Sequence, residues 1–173
     1  MYSRIDFYAD AEEAGSGAEG VCRMRVNTES NSGEVFVFSI APVWINKILA
    51  GEKRVELRRR GPRSLKEPTA ALLYATAPES ALVARAIVTS IIYGSPEYLW
   101  QKVGTLSGCD EYQFFDYFKN CRDGAALYLD DVRSLDPPIF LSELKQKKWR
   151  PPFSWCRISS DHFLREVGGL TCF

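Results

Sequence analysis

The order of apolar and polar positions divides the middle of the chain into short strands and short helices. Val35 to Ile40 is a β-rich run. A helical period then begins at Pro42, a residue favoured at the first helical position, and stops at Gly51. From Arg54 to Arg59 apolar and charged residues alternate. That pattern predicts a strand whose two faces differ in polarity.

Further strands and helix starts follow in the second half. Strands are predicted at Ala70 to Thr76, Ala81 to Tyr93 and Ala125 to Asp130. Ser95, Asp110 and Ser142 each occupy a position suited to capping a helix, the last of which would run through Lys148. Strands outnumber helices without regular alternation, so we expect an α+β fold around a curved or barrel-like sheet.

The two ends of the chain differ from this central part. Tyr8 to Gly33 is rich in Ala, Glu, Gly, Ser and Asn, and it offers too little apolar surface to offset the entropy of ordering. We therefore expect a flexible N-terminal arm over residues 1–34, a folded domain over 35–158 and a C-terminal extension over 159–173.

Composition narrows the class of protein. The 173 residues suit one domain, and the five cysteines are an odd number without a C-x-x-C pair. Reduced thiols are expected, with no zinc site or disulfide framework. The N-terminus lacks a signal-peptide pattern, and no apolar run approaches the roughly 20 residues of a membrane span. We expect a cytoplasmic protein with no membrane partner.

The distribution of charge draws attention to one segment. The chain has 22 basic and 22 acidic residues, so no overall field favours a polyanion. Between Gly51 and Glu67, however, seven basic residues face three acidic ones, a local charge of +4. Glu56 and Arg58 project from one face of the predicted strand, and a bend after Gly51 would bring Lys53 beside them. A solvated strand and loop is the alternative interpretation.

This segment and those around it resemble the ASCH (activating signal cointegrator homology) domain. The resemblance rests on Ser39-Ile40, the stretch from Gly51 to Arg60 and Leu72 to Pro78, and it continues through Ser95 to Trp100 and Pro151 to Trp155. It covers roughly Val35 to Ile158. ASCH domains are similar to PUA-like β-barrels, whose members mostly bind RNA or modified nucleobases in a cleft.

The resemblance implies a set of binding residues. Lys53, Glu56 and Arg58 would line the cleft, with Tyr74, Ser95 and the segment Phe153 to Trp155, including Trp155, as wall residues. Arg58 would offer a planar fork to a phosphate or base edge, and Glu56 would accept from an exocyclic amine. Arg58→Ala is then expected to weaken binding with little loss of stability.

Aromatic residues divide less clearly between site and core. Tyr74 or Trp155 could stack a base. Trp44, Trp100 and Phe114 to Phe118 have the spacing of core residues.

Two main functions from different classes follow, besides a protein-interaction role in which the arm and the basic segment would contact another macromolecule. The first is an RNA-binding or nucleotide-binding module. The second is a small hydrolase of a modified nucleoside or RNA, in which Lys53 and Glu56 would be catalytic. Amide-hydrolysing relatives resemble G-x-K-x-x-T-x-R, and here Glu56 replaces the threonine nucleophile. A lysine and a carboxylate in contact stabilise each other's charged forms, which favours binding.

Other features of the sequence are weaker indications of function. His162, beside Ser160 and Asp161, lacks the G-x-S-x-G elbow of a serine hydrolase. The basic cluster from Lys145 to Arg150 is interpreted as a solvated helix end. No dinucleotide fingerprint, phosphate-binding loop or metal-ligand cluster is visible, so no cofactor is implied. The sequence gives no indication of the oligomeric state.

Overall fold

The structure, a computed structural model, describes residues 34–159. Residues 1–33 and 160–173 lie outside the described residues, and with them most of the predicted arm and extension and also His162.

Strands and helices follow one another along the described chain without a regular alternation. In order they are β1 Glu34–Ile40, α1 Pro42–Leu49, β2 Val55–Arg58, β3 Thr69–Ala75, β4 Ala81–Gly94, α2 Pro96–Val103, a short 3-10 helix Gly104–Leu106, α3 Glu111–Tyr117, β5 Gly124–Phe140, α4 Leu141–Gln146 and β6 Trp155–Ser159. None of the helices within residues 34–159 has the length and apolar character needed to cross a membrane. The predicted α+β class is confirmed.

The six strands form one mixed sheet in the order β2-β5-β4-β3-β1-β6. The β1–β3 pair is parallel and the other pairs are antiparallel. Within residues 34–159 the sheet does not close, because β2 and β6 are its two edges, so the expected barrel-like sheet is open between them. Side chains link these edges instead. The Trp155 indole donates to the Arg60 carbonyl at 2.9 Å, and Arg58 NH1 donates to Ser154 Oγ at 3.2 Å.

The core is divided by the alternation of side chains along the strands. One face of the sheet packs against α1 and buries Phe36, Phe38, Leu73 and Leu127 with Ile45 and Ile48. The intervening strand residues contribute to two other clusters. Val55 and Leu57 pack with α2 and α3, so Glu56 and Arg58, between and after them, face the opposite way.

The predicted start of α4 is wrong. The helix begins at Leu141 with Phe140 in the N-cap position and no side-chain capping bond, so Ser142 does not cap it. It also ends at Gln146, before Lys148. The reason is that β5 extends to Phe140, ten residues beyond its predicted end, and it pairs there with Ala81 of β4. The chain turns directly from strand into helix.

We expect Asp110→Ala to lower the free energy of unfolding by about 1 kcal/mol. Asp110 and Gln113 form a reciprocal capping box at the start of α3, in which the Asp110 carboxylate accepts from the Gln113 N–H at 2.7 Å. Ser142→Ala is the matched control, and it should change stability by less than about 0.5 kcal/mol. Denaturant titration measures both values, and equal losses would contradict the capping assignment.

Candidate functional site

A cavity of about 230 Å³ lies where β2 meets α1 and α3. Three charged side chains line it, Lys53, Glu56 and Arg58. The remaining wall includes Trp44 from α1 and Gln113 and Tyr117 from α3.

The three charged side chains form one buried ionic group. Each residue is at most 6% exposed. Glu56 lies between the two cations, with Oε2 3.6 Å from Lys53 Nζ and Oε1 3.1 Å from Arg58 NH2. Because two positive groups share one carboxylate, the group carries a formal charge of +1. Charges so poorly hydrated require such partners.

The turn at the end of α1 determines the position of Lys53. Gly51 adopts a positive φ of 76°, and the backbone N–H groups of Glu52 and Lys53 both donate to the Lys47 carbonyl. This tight turn starts β2 and directs Lys53 inward. Its Nζ donates to the Ser107 carbonyl at 2.9 Å and lies 5.5 Å from the centroid of the Trp44 ring.

Arg58 is anchored on the far side of the group. Its NH2 donates to the Ser39 carbonyl at 3.0 Å and its NH1 to Ser154 Oγ at 3.2 Å. The guanidinium carbon is 5.4 Å from the centroid of the Phe38 ring, while Nε is buried with no hydrogen-bond partner. Arg58 therefore joins β2 to β1 and to the segment before β6. We now expect Arg58→Ala to reduce stability as well as binding, which revises the sequence-based expectation.

Two aromatic side chains predicted as core, Trp44 and Tyr117, pack against core clusters and also line the cavity. Trp44 is partly buried, and it packs against the cluster that includes Ile45 while forming part of the cavity wall. Tyr117 donates its hydroxyl to the Leu57 carbonyl at 3.1 Å. Burial raises the pKa of Tyr117, and the nearby Arg58 charge partly opposes that rise.

The other predicted wall residues lie elsewhere. Tyr74 is 4% exposed and packs in a separate apolar cluster with Leu72 and Leu144, because strand alternation turns it away from the cavity. Ser95 caps α2 by accepting from the Tyr98 N–H at 3.3 Å. Trp155 contacts Phe36 and donates to Arg60. From the segment Phe153 to Trp155, it is Ser154 that touches the ionic group.

The chain is similar to known proteins in sequence and fold. A protein from Zymomonas mobilis named ASCH domain-containing ribonuclease is 33% identical over 126 residues, which cover 70% of this chain and 83% of that protein. The crystal structure of ASCH from Z. mobilis superposes with a TM-score of 0.70 at 28% identity, over 77% of this chain and 92% of the other. The chain belongs to the ASCH family. No family model matches the chain.

A second structure of the Z. mobilis protein gives the same result. A variant with one tyrosine changed to phenylalanine has a TM-score of 0.70 over 77% of this chain and 96% of that chain, at 28% identity. The α+β architecture of the ASCH domain, a PUA-like fold, is thus shared along most of the described residues.

Sequence reasoning found the ionic group of the ASCH domain and missed most of its surroundings. Lys53, Glu56 and Arg58 lie together as the predicted bend requires, and their role stays a prediction. Ser39 was missed as a site residue because its contact with Arg58 spans 19 positions of the chain. Ser154, 96 positions from Arg58, was predicted only as part of the wall segment Phe153 to Trp155. Within residues 34–159 no cluster of three or more His, Cys, Asp or Glu is arranged to hold a metal ion.

Gly108→Ala should destabilise the ASCH domain more than Gly51→Ala does. Both glycines have positive φ, which costs an L-residue about 1–2 kcal/mol. A Cβ on Gly108 would lie 2.8 Å from Lys53 Cβ, whereas one on Gly51 would meet nothing within 4 Å. Denaturant unfolding of both variants measures the difference. Equal losses would show that Gly108 does not set the position of Lys53.

Glu56→Gln should lower the free energy of unfolding by about 3 kcal/mol, because it leaves two buried cations without their carboxylate. Glu34→Gln is the control. Its ion pair with Arg157, at 3.0 Å, is solvent-exposed and should contribute less than about 1 kcal/mol. Thermal and denaturant unfolding would measure both changes, and a Glu56→Gln variant as stable as the control would contradict the assigned ion pairing.

Proposed function

We propose that this ASCH domain binds RNA and holds one nucleotide of the strand in the cavity. The observation that carries the proposal is the buried ionic group of Lys53, Glu56 and Arg58, whose excess positive charge faces a small cavity with aromatic walls. Burying charge is costly unless the charges are paired, and here one positive charge is left in excess. A net positive group at a cavity attracts an anionic ligand. The Z. mobilis relative named as a ribonuclease supports RNA as the ligand class.

The size of the cavity favours a single nucleotide. Its volume of about 230 Å³ is below the roughly 300–1,000 Å³ of sites that enclose drug-sized ligands. Trp44 offers a partly exposed ring against which a base can stack. Glu56 can accept from an exocyclic amine, and the two cations attract the adjoining phosphate.

In this proposal the rest of the RNA strand lies along the basic loop between β2 and β3. Arg59, Arg60, Arg63 and Lys66 are all exposed on this loop, directly after Arg58. Lys and Arg that neutralise phosphates release counterions, which makes binding weaken as salt rises. Because the chain has no net charge, RNA binding depends on a local basic surface such as this loop and not on an overall positive field.

RNA cleavage is the second candidate function, and the name of the Z. mobilis relative favours it. In this scheme Glu56 accepts the proton of a ribose 2′-hydroxyl, and the O2′–P bond forms as the P–O5′ bond breaks. Lys53 donates a proton to the leaving O5′, and Arg58 stabilises the charge that develops on the phosphate. The Lys53–Glu56 contact of 3.6 Å opposes both proton transfers in the free protein. Each group stabilises the charge of the other, and each transfer would remove one of these charges.

Hydrolysis of an amide on a modified nucleoside has weaker support. The hydroxyl nucleophile of that chemistry is replaced by Glu56, and the Glu56 carboxylate is held between two cations.

Lys53→Met should weaken the binding of a fluorescent, unstructured RNA octamer by tenfold or more. The change removes the ammonium from the cavity, whereas Arg54→Met removes the neighbouring exposed charge and should cost at most threefold. Fluorescence anisotropy at 50 mM and 200 mM salt measures both. An unaltered protein that binds no RNA at 50 mM salt, or equal losses in the two variants, would contradict the proposal.

The same samples separate binding from cleavage. If the domain cleaves RNA, gel analysis will show cleavage products from the octamer and none from its 2′-O-methyl analogue. The Glu56→Gln variant will then yield no cleavage products from either RNA. An intact octamer with tight, Lys53-dependent binding would leave binding as the function.

A further inference from the structure

A second place suited to a nucleotide lies beside the cavity, where Arg63 of the β2–β3 loop meets Tyr93 of β4. The Arg63 guanidinium carbon lies 5.2 Å from the centroid of the Tyr93 ring. Tyr93 is 37% exposed, so part of its ring is open to solvent. We propose that Arg63 and Tyr93 form a second RNA-contacting position, which holds the unpaired nucleotide next to the one in the cavity. This inference rests on the proposed function.

The register of the sheet connects the two positions. Arg58 of β2 lies opposite Ala125 of β5, and Ala125 lies opposite Tyr93 of β4. Paired residues in adjacent strands direct their side chains to the same face, and strands are about 4.8 Å apart. Tyr93 therefore lies on the cavity face of the sheet, about 10 Å from Arg58 measured along the backbone pairs.

The loop that carries Arg63 is fixed in place. Gly61 passes so close to the sheet that an added Cβ would lie 2.5 Å from Ala125 Cβ and 3.0 Å from the Tyr93 ring. Pro62 and Leu65 are buried. The Trp155 indole holds the Arg60 carbonyl at 2.9 Å. A rigid loop presents its cations without a large entropic cost on binding.

The chemistry of this pair suits RNA. An unpaired base stacks on an aromatic ring whatever its identity, and an arginine beside that ring contacts the phosphate. The nearby acidic group is Glu67, whose carboxylate accepts from the Ile91 N–H. Glu67 thus holds the loop against β4.

A second exposed tyrosine provides a control. Tyr98 is 43% exposed and has Lys102 Nζ 5.8 Å from its ring centroid, so its composition matches the Arg63–Tyr93 pair. Its ring lies against Gly94, where an added Cβ would be 2.5 Å from Tyr98 Cδ1. Since Gly94 follows Tyr93 in the strand, its Cβ direction points to the opposite face. Tyr98 is therefore outside the path that continues from the cavity.

The test compares variants of the full chain in binding a fluorescent octauridylate at 50 mM salt. Tyr93→Ala should weaken binding about tenfold, and Tyr93→Phe, which keeps the ring, at most twofold. Arg63→Gln should weaken binding and lower the slope of log affinity against log salt by about one. Tyr98→Ala should change affinity at most twofold. Tyr93→Leu keeps an apolar contact with Gly61 and replaces Tyr93→Ala if that variant unfolds.

The outcomes distinguish the inference from the proposed function. Octamer binding that depends on Lys53 but is unchanged in Tyr93→Ala, or in Tyr93→Leu where Tyr93→Ala unfolds, would overturn the second position alone. Equal losses in Tyr93→Ala and Tyr98→Ala would also overturn it, since the two faces would then be equivalent. Absence of octamer binding by the unaltered protein would overturn both proposals.

Discussion

The contact of the Glu56 carboxylate with two buried cations is the interaction on which the site depends. Lys53 comes from the turn after α1 and Arg58 from the end of β2, and both cations are buried, where a charge without a partner is strongly destabilising. One carboxylate cannot neutralise two cations. The resulting excess charge is the link between the folding of this region and the proposed RNA binding.

The same group also joins parts of the sheet that do not pair. The strands β2 and β6 are the open edges of the sheet, and Arg58 reaches from one edge to Ser39 of β1 and to Ser154 before β6. With the Trp155 indole, it bridges the opening that a closed barrel would fill with backbone hydrogen bonds. The proposed binding residues and the residues that shape the sheet are therefore partly the same, so a variant of Arg58 affects both properties at once.

Local sequence patterns predicted the elements whose formation depends on residues close together in the chain. The run of β1, the proline start of α1 and the cap of α2 by Ser95 were all predicted from neighbouring residues, and all are present. Lys53, Glu56 and Arg58 were found together because strand alternation and one turn after Gly51 suffice to place them. Features that depend on distant pairing were missed: the extension of β5 to Phe140 along β4, the addition of β6 to β1, and the turn of Tyr74 away from the site. Trp44 has the spacing of a core residue and packs against the core, but its second role in the cavity wall depends on tertiary packing that its spacing does not show.

The most direct measurement is a crystal structure of the chain with a short, uncleavable 2′-O-methyl RNA bound. The account predicts electron density for one nucleotide in the cavity, in contact with Lys53, Glu56 or Arg58 and against Trp44, with the adjoining phosphates along the β2–β3 loop. RNA bound at another surface, with the cavity unchanged and the three charged side chains in contact only with one another, would contradict it.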